Sequence, residues 1–339
     1  MKRPTIMDIA RHAGVSKGAV SYALRGQPGV SEATRRRILA IAEEMGWRPN
    51  SAARALSEAR AGAFGLVLPR PARLLGVEPF WMELIAGVQA ALEERSVALL
   101  LQVVGEQPDS ALDVYRQWWG ERRVDGVLLS DLRVHDKRVE PLRELGMPVV
   151  VVGGPLRDPA FPCVAVDNRT PMARAVEYLV ALGHRRIARV AGIPEFQHTV
   201  ERTEAFEGAV AAAGLTSTPR IDTDYSGDEG AAATRELLAR ADPPTGIIFD
   251  NDVMAVAAVG VAHEMGIQVP EELSVVAWDD SPLCQIVHPP LTTMSRDVYR
   301  SGALAASRLL NLVDGADVGD VEEPTPRLVV RASTAPPRA

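Results

Sequence analysis

Cysteine, lysine and long apolar runs are scarce in this chain of 339 residues. Its two cysteines, Cys163 and Cys284, lie far apart and form no C-x-x-C pair, so they indicate neither a disulfide framework nor a zinc site. No run of about 18 apolar residues occurs, which argues against a membrane span. The N-terminus enters an amphipathic segment directly, without the apolar core and cleavage site of a signal peptide. We therefore expect a cytoplasmic protein with no membrane partner.

Motifs of the common catalytic classes are missing as well. The chain has no G-x-G-x-x-G, Walker or H-E-x-x-H sequence, and its six histidines are scattered. Two carboxylate pairs, Asp250 with Asp252 and Asp279 with Asp280, would allow a metal or acid–base role. We interpret them as acids that grip a ligand or cap strand ends. The sequence therefore predicts no enzyme, no cofactor and no metal.

Charge is distributed unevenly along the chain. Residues 1–60 hold 11 Lys and Arg against 5 Asp and Glu, whereas the remainder holds 26 against 39. A basic segment in an otherwise acidic chain indicates a polyanionic partner for that segment alone. The overall composition, 47% apolar and 24% charged, is that of an ordinary globular protein, and the length suits two or three domains.

The basic segment carries the pattern of a helix-turn-helix. Thr5 and Asp8 form a capping box, and apolar residues then recur at helical spacing. Gly14 tolerates the positive φ of a tight turn, Ser16 is a good N-cap for a second helix, and Ser31 caps a third. The outer face of the second helix, which could enter a major groove, presents Lys17, Gly18, Ser21, Tyr22 and Arg25.

Short apolar strands alternate with amphipathic helices after residue 60. One series runs from a strand at 63–68 to a strand at 148–152, and a second from a helix at 171–182 to a strand at 273–277. Segments 292–295, 297–312 and 328–330 complete them. This alternation predicts two doubly wound subdomains, each a parallel sheet covered by helices on both faces. The Pro- and Ala-rich tail, 333–339, is expected to be disordered.

Three motifs stand in register in the N-terminal segment. They are D-I-A-x-x-A-G-V-S from Asp8, V-S-x-x-T-R from Val30 and P-N-x-x-A-x-x-L from Pro49. Together they closely resemble the lactose/galactose repressor (LacI/GalR) family of bacterial transcription regulators. The resemblance continues along the chain, for example in Leu182–Ile187 and in Trp278-Asp279-Asp280.

This resemblance implies a domain organisation. An all-α helix-turn-helix headpiece would span 1–48, a hinge helix and linker 49–60, and a periplasmic-binding-protein-like α/β effector domain 61–332. The first subdomain would comprise about 61–163 and 291–321, and the second about 164–290 and 322–332. The chain would cross between subdomains near Cys163, Pro290 and Val321, and the ligand would lie in the cleft between them.

The resemblance also implies roles at the DNA. Lys17 can donate to guanine O6 or N7, Tyr22 can contact a thymine methyl or a phosphate, and Gly18 offers no side chain to a base. A solvated helix face is the alternative for this surface, and an N-cap role for Ser16 and Ser31 is compatible with a phosphate contact. The predicted DNA-binding residues are Thr5, Ser16, Lys17, Gly18, Ser21, Tyr22, Arg25, Ser31, Thr34, Asn50, Ala53, Arg54 and Leu56.

Leu56 has a particular expected role. By resemblance, the segment 50–57 becomes helical on DNA and places Leu56 between base steps in the minor groove, at a CG step that it kinks. A helix this short is marginal alone, so it is expected to form only on DNA. The alternative is that Leu56 packs on the effector domain, because an apolar residue is usually buried for packing.

Nine positions match the effector cleft of the family. Arg202 and Asp279 would form a polar pair that grips ligand hydroxyls or a carboxylate, and aromatic residues would stack on a sugar ring or a flat base. Core packing is the alternative for each aromatic residue. Gly153-Gly154 stand where sugar-binding members often carry acidic or Asp-Arg pairs, which leaves room for an oligosaccharide or glycoside. The nine residues are Phe80, Trp81, Ser130, Phe196, His198, Arg202, Tyr225, Asn251 and Asp279.

The sequence thus predicts a ligand-controlled transcription regulator, most simply a repressor of carbohydrate uptake or catabolism genes. We expect it to bind a pseudopalindromic operator as a homodimer, because the segment after the final strand is too short for a coiled-coil helix that would add a tetramer contact. A sensor for a nucleobase or another non-sugar corepressor is the alternative. A stand-alone sugar-binding or transport module would explain neither the basic segment nor the missing secretion signal.

Overall fold

The computed structural model describes residues 4–47, 60–105, 108–154, 160–216 and 218–338. The chain divides into two compact units, Met1–Ala61 and Gly62–Ala339. The predicted hinge contacts of Asn50, Ala53, Arg54 and Leu56 lie outside the described residues.

Three helices form the described part of the first unit, as the sequence predicts. They are α1 (Ile6–Ala13), α2 (Lys17–Leu24) and α3 (Glu32–Glu44). Ile9, Val20 and Ile38, one from each helix, are fully buried and pack in one apolar cluster. Three short helices thus share a single small core, and the helix-turn-helix is confirmed.

Local signals in the sequence set the helix ends. The Thr5 hydroxyl accepts a hydrogen bond from the Asp8 amide at 3.4 Å, and the Asp8 carboxylate accepts one from the Thr5 amide at 2.9 Å, which completes the capping box. Gly14 ends α1 with φ 62°, a conformation that favours glycine. The Ser16 hydroxyl caps α2 by accepting from the Ala19 amide at 3.1 Å.

The second unit contains two six-stranded sheets. Its described strands are β1 (Ala63–Pro69), β2 (Ala98–Val104), β3 (Gly126–Leu129), β4 (Val149–Gly154), β5 (Cys163–Ala165), β6 (Ile187–Ala191), β7 (Arg220–Asp222), β8 (Gly246–Phe249), β9 (Ser274–Trp278), β10 (Thr292–Ser295), β11 (Val321–Glu322) and β12 (Arg327–Val329). The first sheet has the order β11-β5-β4-β3-β1-β2 and is parallel throughout. The second has the order β12-β10-β9-β8-β6-β7, and only β12 runs antiparallel. The predicted α/β class is confirmed.

Helices cover both faces of each sheet. After residue 62 the described α-helices are α4 (Pro79–Glu93), α5 (Pro108–Gly120), α6 (Val139–Glu144), α7 (Arg169–Ala181), α8 (Gln197–Ala212), α9 (Gly227–Leu238), α10 (Asp252–Glu264), α11 (Leu283–Ile286) and α12 (Val298–Val313), and a short 3₁₀ turn spans Ala72–Gly76. On the first sheet, α4 and α12 cross closely: a Cβ on Gly87 would lie 1.8 Å from the Tyr299 carbonyl oxygen, and one on Gly302 would lie 2.1 Å from that of Leu84. Only glycine allows this approach.

The crossings between the subdomains differ in one place from the prediction. Strand β10 pairs in parallel with β9, Thr292 opposite Val276, so it belongs to the second sheet, and assigning all of 291–321 to the first subdomain is wrong. Met294 of β10 packs in an apolar cluster of the second subdomain. The chain therefore crosses after β5, after β10 and after β11, and the middle crossing lies at Arg296-Asp297, not near Pro290.

The C-terminal segment is also more ordered than its composition predicts. The fully buried Ser333 donates from its hydroxyl to the Val275 carbonyl at 2.6 Å and accepts from the Thr292 amide at 2.8 Å. His184 Nε2 lies 3.0 Å from the Ala335 carbonyl. The prediction of disorder from residue 333 onward is therefore wrong for Ser333–Ala335, because these hydrogen bonds attach the segment beside β9 and β10. Among the described residues, no helix is long and apolar enough to cross a membrane.

Candidate functional site: a helix face and an interdomain cleft

The outer face of α2 is the first candidate surface. Lys17, Gly18, Tyr22 and Arg25 are exposed, and Tyr22 retains 47% of its accessible surface. Its ring lies on Gly29, where an added Cβ would come within 3.3 Å of the Tyr22 Cδ2 atom. Arg25 donates to the hydroxyl of Ser21, one turn earlier on the same helix. The face is therefore polar, accessible and locally organised.

Helix N-termini lie beside this face. Ser16 caps α2. Ser31 caps α3 by accepting from the Thr34 amide at 3.3 Å, and the hydroxyls of Ser31 and Thr34 lie 2.9 Å apart. The N-terminus of a helix carries free amide donors and a partial positive charge. The two ends can therefore each take a phosphate oxygen without losing their caps.

The second candidate is a polar cleft between the two subdomains, at the carboxyl ends of both sets of parallel strands. The cleft has a volume of about 80 Å³, which is room for roughly half a dozen water molecules. Eight of the nine predicted effector residues line it: Phe80, Trp81, Ser130, His198, Arg202, Tyr225, Asn251 and Asp279. Phe196 does not. Its ring is fully buried and packs in the apolar core of the second subdomain, so the predicted stacking of Phe196 on a ligand is wrong.

Arg202 is held at the floor of the cleft. Its Nε donates to Asn168 Oδ1 at 3.2 Å, its Nη1 donates to the Asp250 carbonyl at 3.1 Å, and its Cζ lies 3.8 Å from the Trp278 ring centroid. Burial lowers the pKa of this guanidinium, an effect that Asp250 opposes. The side chain is thus fixed in place, which suits it to orient a bound group.

A buried ion pair supports Arg202 from behind. Arg189 Nε and Nη2 donate to the two carboxylate oxygens of Asp250 at 2.9 and 2.6 Å, and both side chains are fully buried. Burial alone would raise the pKa of Asp250, but Arg189 and Arg202 together hold it below its ordinary value. Asp250 is therefore a structural anion at the end of β8, which agrees with the interpretation of this acid as non-catalytic.

Tyr225 forms one wall through a hydrogen-bonded cluster. Its hydroxyl lies 2.8 Å from His198 Nε2 and 2.9 Å from the Thr199 hydroxyl, and its carbonyl accepts from Asn251 Nδ2 at 2.9 Å. Gly192 is required here, since an added Cβ would lie 1.7 Å from the Tyr225 Cζ atom. Burial and the surrounding guanidinium groups hold the pKa of His198 well below its ordinary value, so this imidazole is neutral.

Asp279 forms an ion pair with Arg296. Arg296 Nε donates to Asp279 Oδ1 at 3.0 Å, and the Arg296 Cζ lies 5.0 Å from the Phe80 ring centroid. Arg202 and Asp279 both line the cleft, so the role predicted for them, to grip a ligand together, stays a prediction. Arg296 lies at the middle crossing, so the ion pair joins that crossing to the second subdomain.

Arg70 was missed by sequence reasoning. It follows β1 and is 7% exposed; its Nε and Nη2 donate to the two oxygens of Asp131 at 2.8 and 3.1 Å, and its Nη1 donates to Glu78 Oε1 at 3.2 Å. Burial outweighs Arg70 and raises the pKa of Glu78 to about 7, while Trp81 Nε1 donates to this carboxylate at 2.8 Å. The available signal was position, because polar residues at the carboxyl ends of parallel strands converge on the ligand crevice.

Three non-glycine residues of the cleft adopt positive φ. The angles are 49° at Asp131, 73° at Tyr225 and 64° at Asp279. Such conformations cost about 1–3 kcal/mol each and cluster at binding sites. At the neighbouring wall, Gly153 has φ 86° within a β-bulge, and an added Cβ would meet no described residue within 4 Å. Gly153 belongs to the glycine pair that stands where sugar-binding relatives often carry charged residues, and it lines the cleft.

Among the residues that the structure describes, two polar atoms in the cleft are buried and have no hydrogen-bond partner. They are Ser130 Oγ, from the first subdomain, and Asp252 Oδ2, from the second. Burial raises the pKa of Asp252 to about 6. A buried polar atom without a partner is costly, so these two atoms mark places where a ligand can supply the missing hydrogen bonds. Within the described residues, no group of His, Cys, Asp and Glu is arranged to hold a metal.

A helix-turn-helix unit followed by a two-sheet domain with a polar interdomain cleft defines a ligand-responsive DNA-binding regulator. Two family models match the chain: residues 5–50 match the bacterial regulatory proteins of the lacI family, and residues 176–334 match a periplasmic binding protein-like domain. The chain is 34% identical to the transcriptional regulator CelR of Thermobifida fusca over 320 residues, which is 93% of each chain. It belongs to the lacI family.

Solved structures agree with this assignment. The complex of the regulator CelR with cellobiose is 32% identical and superposes with a TM-score of 0.72, covering 98% of this chain and 100% of that one. The Lac repressor dimer bound to operator and the anti-inducer ONPF is 25% identical, with a TM-score of 0.87 and coverage of 98% and 100%. These relatives are transcriptional regulators and not enzymes, in agreement with the sequence analysis.

Proposed function

We propose that this protein represses genes of carbohydrate uptake or catabolism, binds a pseudopalindromic operator as a homodimer, and takes a neutral sugar or glycoside in the cleft. The observation that carries the ligand assignment is the pair of buried, unpartnered atoms Ser130 Oγ and Asp252 Oδ2 on opposite subdomains. A polyhydroxylated ligand donates and accepts hydrogen bonds over its whole surface, so it can satisfy both atoms at once.

The charges of the cleft support a neutral ligand. Arg70 is paired with Asp131 and Glu78, and Arg296 with Asp279. Arg189 neutralises Asp250 from behind, which leaves Arg202 as a donor and Asp252 as an acceptor. A sugar phosphate or uronate would bring a further negative charge into a site whose carboxylates already outnumber its guanidinium groups, at a cost in desolvation and repulsion.

The first probe follows from the comparison with CelR, whose structure holds cellobiose. Gly153 brings no side chain to the cleft wall, which supports a ligand of more than one ring. A thermal-shift screen of mono- and disaccharides, glycosides and nucleobases tests the class of ligand, because a bound ligand stabilises the folded protein by mass action. The proposal expects a neutral saccharide to raise the melting temperature. A rise in melting temperature with nucleobases alone would contradict the sugar and favour a non-sugar corepressor as the ligand.

Variants of the cleft test the site itself. Arg202→Ala and Asp279→Ala should abolish the ligand response while gel shifts still detect operator binding, giving a regulator fixed in one state. Arg235→Ala, which removes an exposed arginine paired with Glu264, is the matched control and should respond like the wild type. An Arg202→Ala protein that is still released by wild-type concentrations of the ligand would remove Arg202 from the site.

Operator binding by a dimer rests on symmetry. A two-fold protein dimer reads two half-sites of opposite direction, which gives a pseudopalindrome. We expect footprints with two-fold symmetry and light scattering that reports two chains. A four-chain mass at micromolar concentration would contradict the dimer, and an asymmetric footprint would contradict the operator.

A further inference from the structure

Phe196 is held between two arginines of the other subdomain. The Cζ atoms of Arg70 and Arg133 each lie 5.3 Å from the Phe196 ring centroid. Phe196 precedes α8 in the second subdomain, whereas Arg70 follows β1 and Arg133 follows β3 in the first. This ring is the one predicted effector residue that does not line the cleft.

The backbone on either side of this contact is joined as well. The Val134 amide donates to the Glu195 carbonyl at 3.0 Å, and the Gln197 amide donates to the Leu132 carbonyl at 2.8 Å. These two hydrogen bonds form an isolated antiparallel bridge between Arg133 and Phe196, outside both sheets. A short bridge of this kind is weak alone and needs side-chain packing to persist.

The contact lies away from the places where the chain crosses between the subdomains, so it can affect how far the cleft opens. The three crossings leave β5, β10 and β11, which lie toward one end of their sheets. The arginines and Phe196 follow β1, β3 and β6, which lie in the other half of their sheets. Because the subdomains are covalently joined only at the first end, contacts at the other end set how far the cleft opens.

Arg70 also separates two spaces. It lines the inner cleft, where it reaches the rings of Trp81 and Tyr225 at 5.4 and 5.0 Å, and it lines an outer groove together with Arg133 and Glu195. Its bidentate bond to Asp131 fixes the guanidinium plane on the first subdomain. A planar, fixed cation is well suited to stack on an aromatic ring that arrives from the second subdomain.

We propose that Arg70, Arg133 and Phe196 form a clasp that holds the cleft closed in the protein without ligand or DNA. The clasp acts on the equilibrium between open and closed subdomains and is independent of which ligand binds. A ligand or an operator that prefers the open arrangement has to overcome the clasp, and one that prefers the closed arrangement is helped by it.

Hydrogen exchange of the full-length chain tests this proposal. Exchange at the Val134 and Gln197 amides reports opening of the bridge, and exchange at Val151 and Ile248 in the central strands reports global unfolding. Arg133→Met removes one stacking cation, leaves the buried Arg70–Asp131 pair intact, and should raise exchange at the two bridge amides about five- to thirty-fold, with no change in the strands.

Two further variants and a control complete the experiment. Phe196→Leu should raise exchange at the bridge at least as much, and Arg70→Met more, because Arg70 also contacts Tyr225. Arg116→Met changes an exposed arginine of the same subdomain and should change neither set of amides. If Arg70→Met fails to fold, the results for Arg133→Met and Phe196→Leu are enough to test the clasp.

Three results would overturn the clasp. The first is exchange at Val134 and Gln197 that is unchanged in both Arg133→Met and Phe196→Leu. The second is an increase that Val151 and Ile248 share, which indicates general destabilisation. The third is a wild-type protein in which both bridge amides already exchange as freely as exposed amides.

Discussion

The exposed face of α2 and the interdomain cleft use polar residues in opposite ways. On α2, Lys17, Tyr22 and Arg25 extend into solvent from a helix whose own core lies on its other side. In the cleft, Arg70 and Arg202 are buried and bound to groups of the protein. We therefore expect substitutions on the helix face to have little effect on stability, and substitutions of Arg70 or Arg202 to destabilise the fold.

The largest expected effect comes from the buried pair of Arg189 and Asp250. Asp250→Ala leaves Arg189 and Arg202 without their carboxylate, and breaking a buried ion pair costs about 3–5 kcal/mol. Urea denaturation of the full chain measures the loss. Glu264→Ala breaks the exposed pair with Arg235 and should cost no more than about 1 kcal/mol. Equal losses in the two variants would contradict the distinction between cleft and surface.

A smaller effect is expected from Glu78, and it depends on pH. Burial raises the pKa of Glu78 from 4.5 to about 7, so between these values the folded state binds more protons at this site than the unfolded state. This contribution to the free energy of unfolding is fully present below the unfolded pKa and falls as pH rises through 7, by at most about 3 kcal/mol.

Glu78→Gln tests whether the contribution of Glu78 to stability falls as pH rises. The free energy of unfolding of wild type and variant is measured in urea at pH 5, 6, 7 and 8. As pH rises, the wild-type value should fall relative to that of the variant. Glu264→Gln, at an exposed site, serves as the control and should show no comparable trend. A constant difference for Glu78→Gln across this range would show that the carboxyl group titrates alike in both states.

The same contrast explains how far sequence reasoning reached. The helices of the headpiece depend on contacts between residues at most four apart, such as Thr5 with Asp8. A short stretch of sequence is therefore enough to recognise them. The longer apolar strands could be recognised for a similar reason. Strands of three residues, such as β5 and β7, are too short to show a periodicity. In the cleft, eight of the nine residues that family resemblance assigned to it do line it, whereas the partners Arg70 and Arg296 depend on chain segments that meet only in the folded protein.

On the helix face, Lys17→Ala should weaken operator binding and leave stability unchanged. A lost hydrogen bond to a base costs about 1–3 kcal/mol and relaxes the preference at that base pair. Binding to the operator and to half-site variants, measured at one fixed salt concentration, checks both statements. Uniform weakening across all sequences would instead identify Lys17 as a phosphate contact, and unchanged affinity would identify it as part of a solvated face.

Leu56→Ala tests the hinge prediction, which lies outside the described residues. If the leucine opens a central base step, its loss should weaken specific binding by more than about 1 kcal/mol and reduce the bend of the operator, because both unstacking and the bent contacts are given up. Gel shifts with permuted operator fragments report affinity and bending together. Unaltered affinity and bending would favour the packing alternative for Leu56.

The smallest effect separates two roles of Ser16. Its hydroxyl caps α2 through the Ala19 amide, so Ser16→Ala should destabilise that helix by about 1 kcal/mol, seen as faster hydrogen exchange in α2. Ser16→Asp keeps the cap, and its negative charge favours the helix N-terminus, but the carboxylate repels a DNA phosphate. If Ser16 also contacts phosphate, the Asp variant should retain wild-type exchange in α2 and lose operator affinity. An Asp variant that binds the operator as tightly as the wild type would leave Ser16 with the cap alone.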